Sequence, residues 1–394
     1  MSTKNSISAG IFTGSDIRQL KAAGITPEQA LMQIQRLKEG AKPLRLARPC
    51  AIGDGISSLP TETEELGEAF QKACREGRFV HFIPASGAAT RMGLGDLPKA
   101  LVPFHRYGSR VATPVEEHIR EAAALAGSGA EARLHFTISP EHETRFRKHV
   151  TETLAFLKGE GVRAEVTHSL QDATTQTVAL DDAGNPFRDG SGNLLLRPGG
   201  HGALLSNLER CGAEFAWIRN VDNIAVEPHR AKTRGIHRAF AGHLVEKARQ
   251  RGTGNRPLRV CGMVPNTGEP GGGPFWISTP DGAVIRIVEA SEIDSGNPQQ
   301  TGIFRTATHF NPVDMVCALR DPGGVPFSLA DFSDPEACVI TRKTFEGRNL
   351  LVLEWPGLWN GGMARWDTLC VEIPLSLFTP VKTAEDLSRP EHQS

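Results

Sequence analysis

The chain has 394 residues, of which 23% are charged, and a formal net charge of −1 at neutral pH. This balance removes the electrostatic case for nucleic-acid binding, and no apolar run is long enough to cross a bilayer. The N-terminus lacks the apolar core of a secretory signal, and seven scattered cysteines without a C-x-x-C pattern indicate neither zinc nor a disulfide framework. We therefore expect a cytoplasmic protein with no membrane and no nucleic-acid partner.

The first part of the chain predicts alternating helices and strands. Residues 14–40 predict two short helices, which belong to an N-terminal helical segment, residues 1–60. The helices predicted after it are 62–78, 114–126, 141–158 and 203–210, and the strands are 79–83, 133–138, 162–167 and 214–218. This alternation predicts an α/β fold, in which an open, mostly parallel sheet has helices on both faces. Ligands of such sheets bind beyond the carboxyl ends of the strands.

The pattern changes at about residue 258, where turns rich in Gly and Pro separate short apolar runs. The strands predicted there are 259–264, 275–278, 283–289, 350–354 and 368–373. We therefore divide the remaining chain into a nucleotide-binding α/β half, residues 61–257, and a β-rich half of the same domain, residues 258–394. The Gly-rich segment 268–274 is either a lid over a substrate or an ordinary surface loop.

A turn of very small residues follows the predicted strand 79–83. Small residues let backbone N–H groups surround a phosphate, and nearby cations supply the charge that a polyphosphate requires. The residues concerned are Ser86, Gly87, Ala88, Ala89 and Thr90, followed by the cations Arg91 and Lys99. The turn matches neither the P-loop nor the dinucleotide-binding pattern. The alternative is a tight turn that packs a helix on the sheet.

Three further signals follow predicted strands or precede a predicted helix. Gln171 offers one donor and one acceptor, which suits the edge of a uracil, although such a residue is often simply solvated. Gly200 and His201 lie in a Gly-rich turn before a helix, which permits a base or ribose to approach bare backbone and is also common without a ligand. Asp222 suits Mg²⁺ that also contacts nucleotide phosphates, and the alternative is a structural cap.

In this order, the signals resemble the motifs of the UDP-sugar pyrophosphorylases, which are nucleotidyltransferases with a Rossmann-like GT-A sheet. That family has a Gly-rich loop, Pro-Lys, an N-Q segment, P-x-G-H-G and I/V-D-N, followed by E-Y-S-E and P-V-K-T-x-x-D-L. The last two correspond to residues 288–293 and 380–387 here, so the match spans about residues 79–387. Within that group the chain most resembles the bacterial domain of unknown function 4301 family, on segments 260–275, 308–314, 359–364 and 389–393.

The resemblance implies a role for each matching position. Residues 87–91 hold the triphosphate or pyrophosphate, and Lys99 contacts the phosphates near the reacting phosphorus. Gln171 and Gly200 read uracil, and His201 lies near the phosphate or sugar. The remaining roles are Mg²⁺ binding by Asp222, sugar contact by Glu289 and Asn311, and closure of Lys382 onto the phosphates.

The implied reaction joins UTP, or another nucleoside triphosphate, to a sugar 1-phosphate, and forms a nucleotide sugar and pyrophosphate with Mg²⁺ as cofactor. Ser86 and Ala89 replace two glycines of the family loop, and Ala89 is strained if its position requires a positive φ. Asp172 and Ala290 are further departures. Two alternatives remain: a GT-A glycosyltransferase that uses a UDP-sugar, and a nucleotide-sugar-binding protein without catalysis.

Overall fold

The computed structural model describes residues 10–89, 92–252, 254–268, 271–279, 282–334, 336–355 and 357–393. Its α-helices are α1 (Gly14–Ala22), α2 (Pro27–Glu39), α3 (Thr63–Arg75), α4 (Pro114–Ala126), α5 (Glu143–Gly159), α6 (Leu205–Arg210), α7 (Glu227–Gln250) and α8 (Pro298–Arg305). Within these ranges, no helix has the length and apolar character that a membrane span requires.

The strands form one large sheet and several small ones. In chain order they are β1 (Leu46–Pro49), β2 (Ala51–Ile52), β3 (Gly55–Ser58), β4 (Phe79–Pro84), β5 (Ala88–Ala89), β6 (Leu94–Pro98), β7 (His105–Tyr107), β8 (Arg110–Ala112), β9 (Ala132–Ile138), β10 (Ala164–Leu170), β11 (Thr177–Val178), β12 (Leu196–Arg197), β13 (Phe215–Arg219), β14 (Leu258–Pro265), β15 (Gly273–Thr279), β16 (Gly282–Val288), β17 (His309–Phe310), β18 (Asp314–Ala318), β19 (Val339–Phe345), β20 (Arg348–Glu354) and β21 (Asp367–Glu372).

The large sheet has the strand order β10-β9-β4-β13-β18-β14-β21-β3-β2, and β17 pairs with β14 beside this path. Every neighbouring pair on the path is parallel except the two pairs that involve β18. The predicted mostly parallel sheet is therefore confirmed. Strands from all three predicted segments contribute to it, and the boundaries between those segments stay a prediction.

Helices cover both faces of the large sheet, as predicted. On one face, Phe70 of α3 and Phe240 of α7 pack with Trp217 of β13 in a buried apolar cluster. On the other face, Leu208 of α6 packs with Phe82 of β4. The two elements on the first face approach closely at Gly242, where a Cβ would stand only 1.7 Å from the carbonyl oxygen of Leu66.

Helices α1 and α2 confirm the prediction of two helices near the N-terminus. Each begins with a threonine cap that forms a capping box, and α2 has Pro27 in its first turn. Their apolar faces pack with strands β11 and β20 in one cluster. Gln33 of α2 accepts a hydrogen bond from the backbone N of Val178 at 2.9 Å. The N-terminal helices therefore support β20 and β11, and β11 pairs with β12, which leads into the Gly-rich turn before α6.

Other boundaries differ from the prediction in instructive ways. The predicted helix 203–210 is a 3₁₀ turn, His201–Leu204, followed by α6. The loop 268–274 is only partly described, because Glu269 and Pro270 lie outside the described residues, and its last two residues are buried where β15 begins. The long helix α7 and the antiparallel strand β18 were not predicted.

Candidate functional site

The small-residue turn after β4 lies at the carboxyl edge of the parallel strands. Ala85 continues the sheet by donating its N–H to Thr137 O at 2.9 Å, and Lys99 donates its backbone N–H to Gly87 O at 2.9 Å. A Cβ on Gly87 would meet nothing within 4 Å, so this backbone faces open space. Among the described non-glycine residues only Val313 and Glu346 have a positive φ, so Ala89 lacks the strain considered from the sequence. Thr90 and Arg91 lie outside the described residues.

Asp222 joins two lysines that are distant in the sequence. Lys99 Nζ lies 2.6 Å from Asp222 Oδ2, and Lys382 Nζ lies 3.1 Å from the same oxygen and 3.3 Å from Oδ1. Asp222 follows β13 and is only 3% exposed. Its carbonyl oxygen accepts the backbone N–H of Val381 at 2.9 Å, which places the C-terminal segment beside β13. The fold therefore brings together three of the residues selected from the sequence.

The two ammonium groups control the charge on Asp222. Burial alone raises the pKa of this carboxyl, but the charges of Lys382 and Lys99 outweigh it, so the pKa lies below its ordinary value. Asp222 is therefore ionised at neutral pH and balances part of the charge of both lysines. Lys99 also bonds through its backbone to Gly87 in the small-residue turn, so a phosphate bound there would compete with Asp222 for the Lys99 ammonium group.

The Asp222 carboxylate fits Mg²⁺ only as a single protein ligand. Both of its oxygens contact ammonium groups, and the described residues contain no group of three or more His, Cys, Asp or Glu suited to a metal. Mg²⁺ commonly takes one or two carboxylates and completes its shell with substrate phosphates and water. The donor set is thus compatible with an ion that arrives with phosphates, and unsuited to an ion held by the protein alone.

Side chains of α4 and β13 hold the backbone on both sides of Asp222 by hydrogen bonds. His118 Nε2 of α4 donates to Val221 O at 3.1 Å, and Arg219 Nη2 donates to Asn223 O at 3.3 Å. Asn223 Oδ1 accepts the backbone N–H of Thr379 at 2.8 Å. The aspartate therefore has a fixed position relative to both α4 and the C-terminal segment.

A buried charged cluster lies behind these contacts. Arg219 pairs with Glu121 of α4, and its Nε lies 3.6 Å from Asp314 Oδ2. Trp217 Nε1 donates to Asp314 Oδ1 at 2.6 Å. Burial raises the pKa of Glu121, but the charge of Arg219 is the main effect that lowers it, to about 2. Sequence analysis missed this cluster, whose only signal is a set of charged residues inside otherwise apolar elements.

Gln171 and Gly200 meet at the same edge. Gln171 Nε2 donates to Gly200 O at 3.1 Å, and Gly200 has φ +74°, a conformation that favours glycine. Asp172 Oδ1 accepts the backbone N–H of Thr174, and its Oδ2 pairs with Arg210 at 3.0 Å, so its charge is already balanced. The side chain of His201 lies outside the described part of the structure.

Trp355 and Glu354, at the end of β20, support this turn and were missed by the sequence analysis. A Cβ on Gly199 would stand 2.5 Å from Trp355 Cδ1, and a Cβ on Gly200 would stand 3.2 Å from Glu354 Cβ. Trp355 donates its backbone N–H to Gly199 O at 2.8 Å. The glycines therefore permit close packing against β20. The Gly-rich pattern gave no indication of which element would lie against it.

Glu289 and Asn311 both lie next to Gly272. Glu289 Oε1 accepts from Trp359 Nε1 at 3.3 Å, and Glu289 borders a cavity of about 410 Å³. Asn311 donates from Nδ2 to Gly262 O and accepts the backbone N–H of Val313, whose φ of +61° is unusual for a β-branched residue. The Asn311 amide thus stabilises a strained turn, and sugar contact by these two residues stays a prediction.

A separate cavity of about 850 Å³ lies at the opposite edge of the sheet. Ala130 and Val162, which line it, precede β9 and β10. The cavity therefore lies near the amino ends of these strands, and its lining includes none of the candidate residues. Because ligands of open α/β sheets bind at the carboxyl edge, we place the candidate site at the edge that carries Asp222.

Two comparisons relate this chain to known proteins, one by sequence and one by structure. The model of the family described as Domain of unknown function (DUF4301) matches residues 13–94, 92–254 and 251–393. The crystal structure of the uridine diphosphate N-acetylglucosamine pyrophosphorylase of Trypanosoma brucei, in complex with an inhibitor, superposes with a TM-score of 0.62 at 18% sequence identity. That superposition covers 99% of this chain and 80% of the trypanosomal one.

A UDP-glucose pyrophosphorylase variant of Leishmania major, in complex with UDP-glucose, superposes with a TM-score of 0.60 at 15% identity and covers 95% of this chain and 77% of its own. Curated proteins give no sequence match. At these identities the likeness shows the fold alone, so the predicted Rossmann-like nucleotidyltransferase architecture is confirmed.

Proposed function

This chain belongs to the DUF4301 family, and we propose that it is a sugar-1-phosphate nucleotidyltransferase. The substrates are UTP or another nucleoside triphosphate and a sugar 1-phosphate, and the products are a nucleotide sugar and pyrophosphate. One observation carries the proposal: Lys99 and Lys382 converge on Asp222 beside the open backbone of Gly87. The likeness of fold to UDP-sugar pyrophosphorylases supports the same reaction class.

The proposed step is an in-line transfer. An oxygen of the sugar 1-phosphate attacks the α-phosphorus of the nucleotide, the bond to the bridging oxygen breaks, and pyrophosphate leaves. Such transfers require positioning and charge neutralisation rather than a protein nucleophile. Before substrate binds, Asp222 holds both ammonium groups at the carboxyl edge. When phosphates bind, Lys99 and Lys382 donate to them, with Arg91 assigned to the leaving pyrophosphate.

In this proposal Asp222 would be the protein ligand of a Mg²⁺ ion bound together with the nucleotide phosphates, which Lys99 and Lys382 contact. The ion would supply charge neutralisation at the phosphates. Gln171 and Gly200 hold the base, and Glu289 and Asn311 lie on the sugar side. A nucleotide-sugar-binding protein without turnover is the second candidate, because both oxygens of Asp222 are already paired with lysine.

The test measures pyrophosphate release by the purified chain with Mg²⁺, each of four nucleoside triphosphates and a panel of sugar 1-phosphates. We expect sugar-dependent release, and we expect Lys99→Ala to lower kcat by about 100- to 1000-fold with a small change in KM, because the lysine acts mainly on charge in the transition state. The matched control is Lys42→Ala, which removes an exposed lysine paired with Glu336 at 2.6 Å and leaves turnover unchanged.

Two outcomes would contradict the proposal. Wild-type turnover by Lys99→Ala would remove the cluster from the mechanism. Absence of pyrophosphate release across the panel, with UDP-sugars still raising the melting temperature, would favour the binding protein without catalysis.

A further inference from the structure

Two side chains with unused hydrogen-bonding capacity lie next to Gly200. Gln171 Nε2 uses one of its hydrogens on Gly200 O at 3.1 Å, which leaves a second N–H and the oxygen Oε1. Glu354 Oε2 would stand 3.3 Å from a Cβ on Gly200. The amide and the carboxylate therefore border the same backbone position.

Two contacts hold Glu354 and the end of β20. Lys343 Nζ, on the paired strand β19, lies 2.6 Å from Glu354 Oε1. The next residue, Trp355, donates from Nε1 to Thr175 O at 2.9 Å, which ties the end of β20 to the segment that follows Gln171. Glu354 Oε2 accepts no hydrogen bond from the described part of the chain, so this oxygen is available to a ligand.

The available groups distinguish nucleobases by one position on the pairing edge. Uracil presents O4, N3–H and O2, and guanine presents O6, N1–H and the N2 amine. The Gln171 amide serves the first two groups of either base, because both offer an acceptor followed by a donor. The third group differs: the O2 of uracil is an acceptor, whereas the N2 amine of guanine is a donor. A carboxylate oxygen accepts hydrogen bonds and repels another acceptor.

We propose that Glu354 determines the base specificity of the nucleotide site, and that it selects a guanine nucleoside triphosphate over UTP. The inference rests on the proposed function, which places a nucleoside triphosphate at this edge. Gln171 pairs with O6 and N1–H, and Glu354 Oε2 accepts from the N2 amine. UTP binds less tightly because its O2 faces the carboxylate without a donor between them.

The experiment is equilibrium titration of the purified chain with GTP, UTP and inosine triphosphate, the last of which is guanine-like but lacks the N2 amine. We expect GTP to bind about tenfold more tightly than either of the others, since a hydrogen bond to a charged group is worth about that factor. Glu354→Gln should bring the ratio of GTP to UTP close to one, because the amide can donate to O2. Glu152→Gln, at an exposed glutamate, is the control and keeps the wild-type ratio.

Other outcomes would overturn the role of Glu354, the base preference, or both proposals. Equal affinity of the wild-type chain for GTP and inosine triphosphate, or an unchanged ratio in Glu354→Gln, would overturn the role of Glu354. Pyrophosphate release with UTP as efficient as with GTP would overturn the base preference and leave the nucleotidyltransferase proposal intact. Failure of the folded wild-type chain to bind any of the three nucleotides would overturn both. The comparison of GTP with inosine triphosphate needs no variant, so it holds even if Glu354→Gln does not fold.

Discussion

Two buried carboxylate clusters lie on either side of the end of β13, and they differ in the exposure of their cations. Behind the sheet, Arg219 is only 4% exposed and is enclosed with Glu121 and Asp314. At the carboxyl edge, the side chains of Lys99 and Lys382 are 18% and 43% exposed beside Asp222. An enclosed guanidinium cannot exchange its partners, whereas a lysine that reaches solvent can turn to a phosphate. The same pairing of charges therefore stabilises the fold in one cluster and leaves cations available in the other.

The largest expected effect comes from removing the enclosed cation. Arg219→Met leaves Glu121 and Asp314 without their arginine partner, and breaking a buried pair in this way costs about 3–5 kcal/mol of unfolding free energy. Urea unfolding measures the loss. Arg249→Met, which removes an exposed pair with Glu246, is the control, and we expect no measurable change. An Arg219→Met chain as stable as the wild type would remove the distinction between the clusters.

The carboxyl of Glu292 extends the comparison to a group that, among the described residues, no ion pair joins to a cation. Burial, followed by the charge of Glu289, raises the pKa of Glu292 to about 7. The folded chain then binds a proton that the unfolded chain loses near pH 4.5, so this contribution to stability is complete below pH 4.5 and is lost as pH rises through 7. We expect Glu292→Gln to exceed the wild type by about 1–3 kcal/mol at pH 8 and by much less at pH 5.

Urea unfolding at the two pH values measures this difference. The amide keeps an oxygen for Asn360, which donates to Glu292 at 2.8 Å, so the substitution changes the titration and preserves the contact. Glu336→Gln, at an exposed glutamate paired with Lys42, is the control and should show no dependence on pH. A constant difference between Glu292→Gln and wild type across this range would contradict the raised pKa.

The smallest expected change in unfolding free energy comes from removing Lys382, a lysine that can exchange Asp222 for a phosphate. Lys382→Ala should change the unfolding free energy by less than about 1 kcal/mol, because the side chain is 43% exposed and Lys99 still pairs with Asp222. Urea unfolding without ligand gives this value, and a second measurement with a nucleoside triphosphate should show less stabilisation of the variant than of the wild type. A loss as large as that expected for Arg219→Met would place both clusters in the same structural role.

The sequence predicted those elements whose apolar pattern reflects their burial. The strand before Asp222 was predicted from a short apolar run, and the strand before Gln171 from alternating apolar and polar residues. Parallel pairing then brought the ends of both strands to one edge. Helix α7 was missed because its inward positions include Arg230, Thr233 and His237, which are buried although they are polar. Glu117, one partner of Arg230, lies on another helix and leaves no local signal.

The candidate site was predictable in its residues and not in its contacts. Asp222 and Lys99 were selected for separate tasks, and only the fold shows that they form one ion pair. Glu354 and Trp355 carry no motif, because their importance depends on the close approach of β20 to Gly199 and Gly200. Asn311 was selected for a ligand, and the structure shows its amide hydrogen-bonded to the backbone of β14 and of its own turn.

Because α2 packs on β20, its apolar face stays partly uncovered until β20 has been synthesised. Leu37 of α2 and Leu353 of β20 belong to one apolar cluster, and Gln33 of α2 accepts a hydrogen bond from the backbone of Val178. At about 5–20 residues per second, the ribosome completes Leu353 roughly 15–60 s after Leu37. During that interval the first two helices emerge without the strand that later covers them. Nascent chains of this protein therefore expose part of the apolar surface of α1 and α2 until β20 is made, which makes these two helices a natural point of contact for a chaperone that acts during translation.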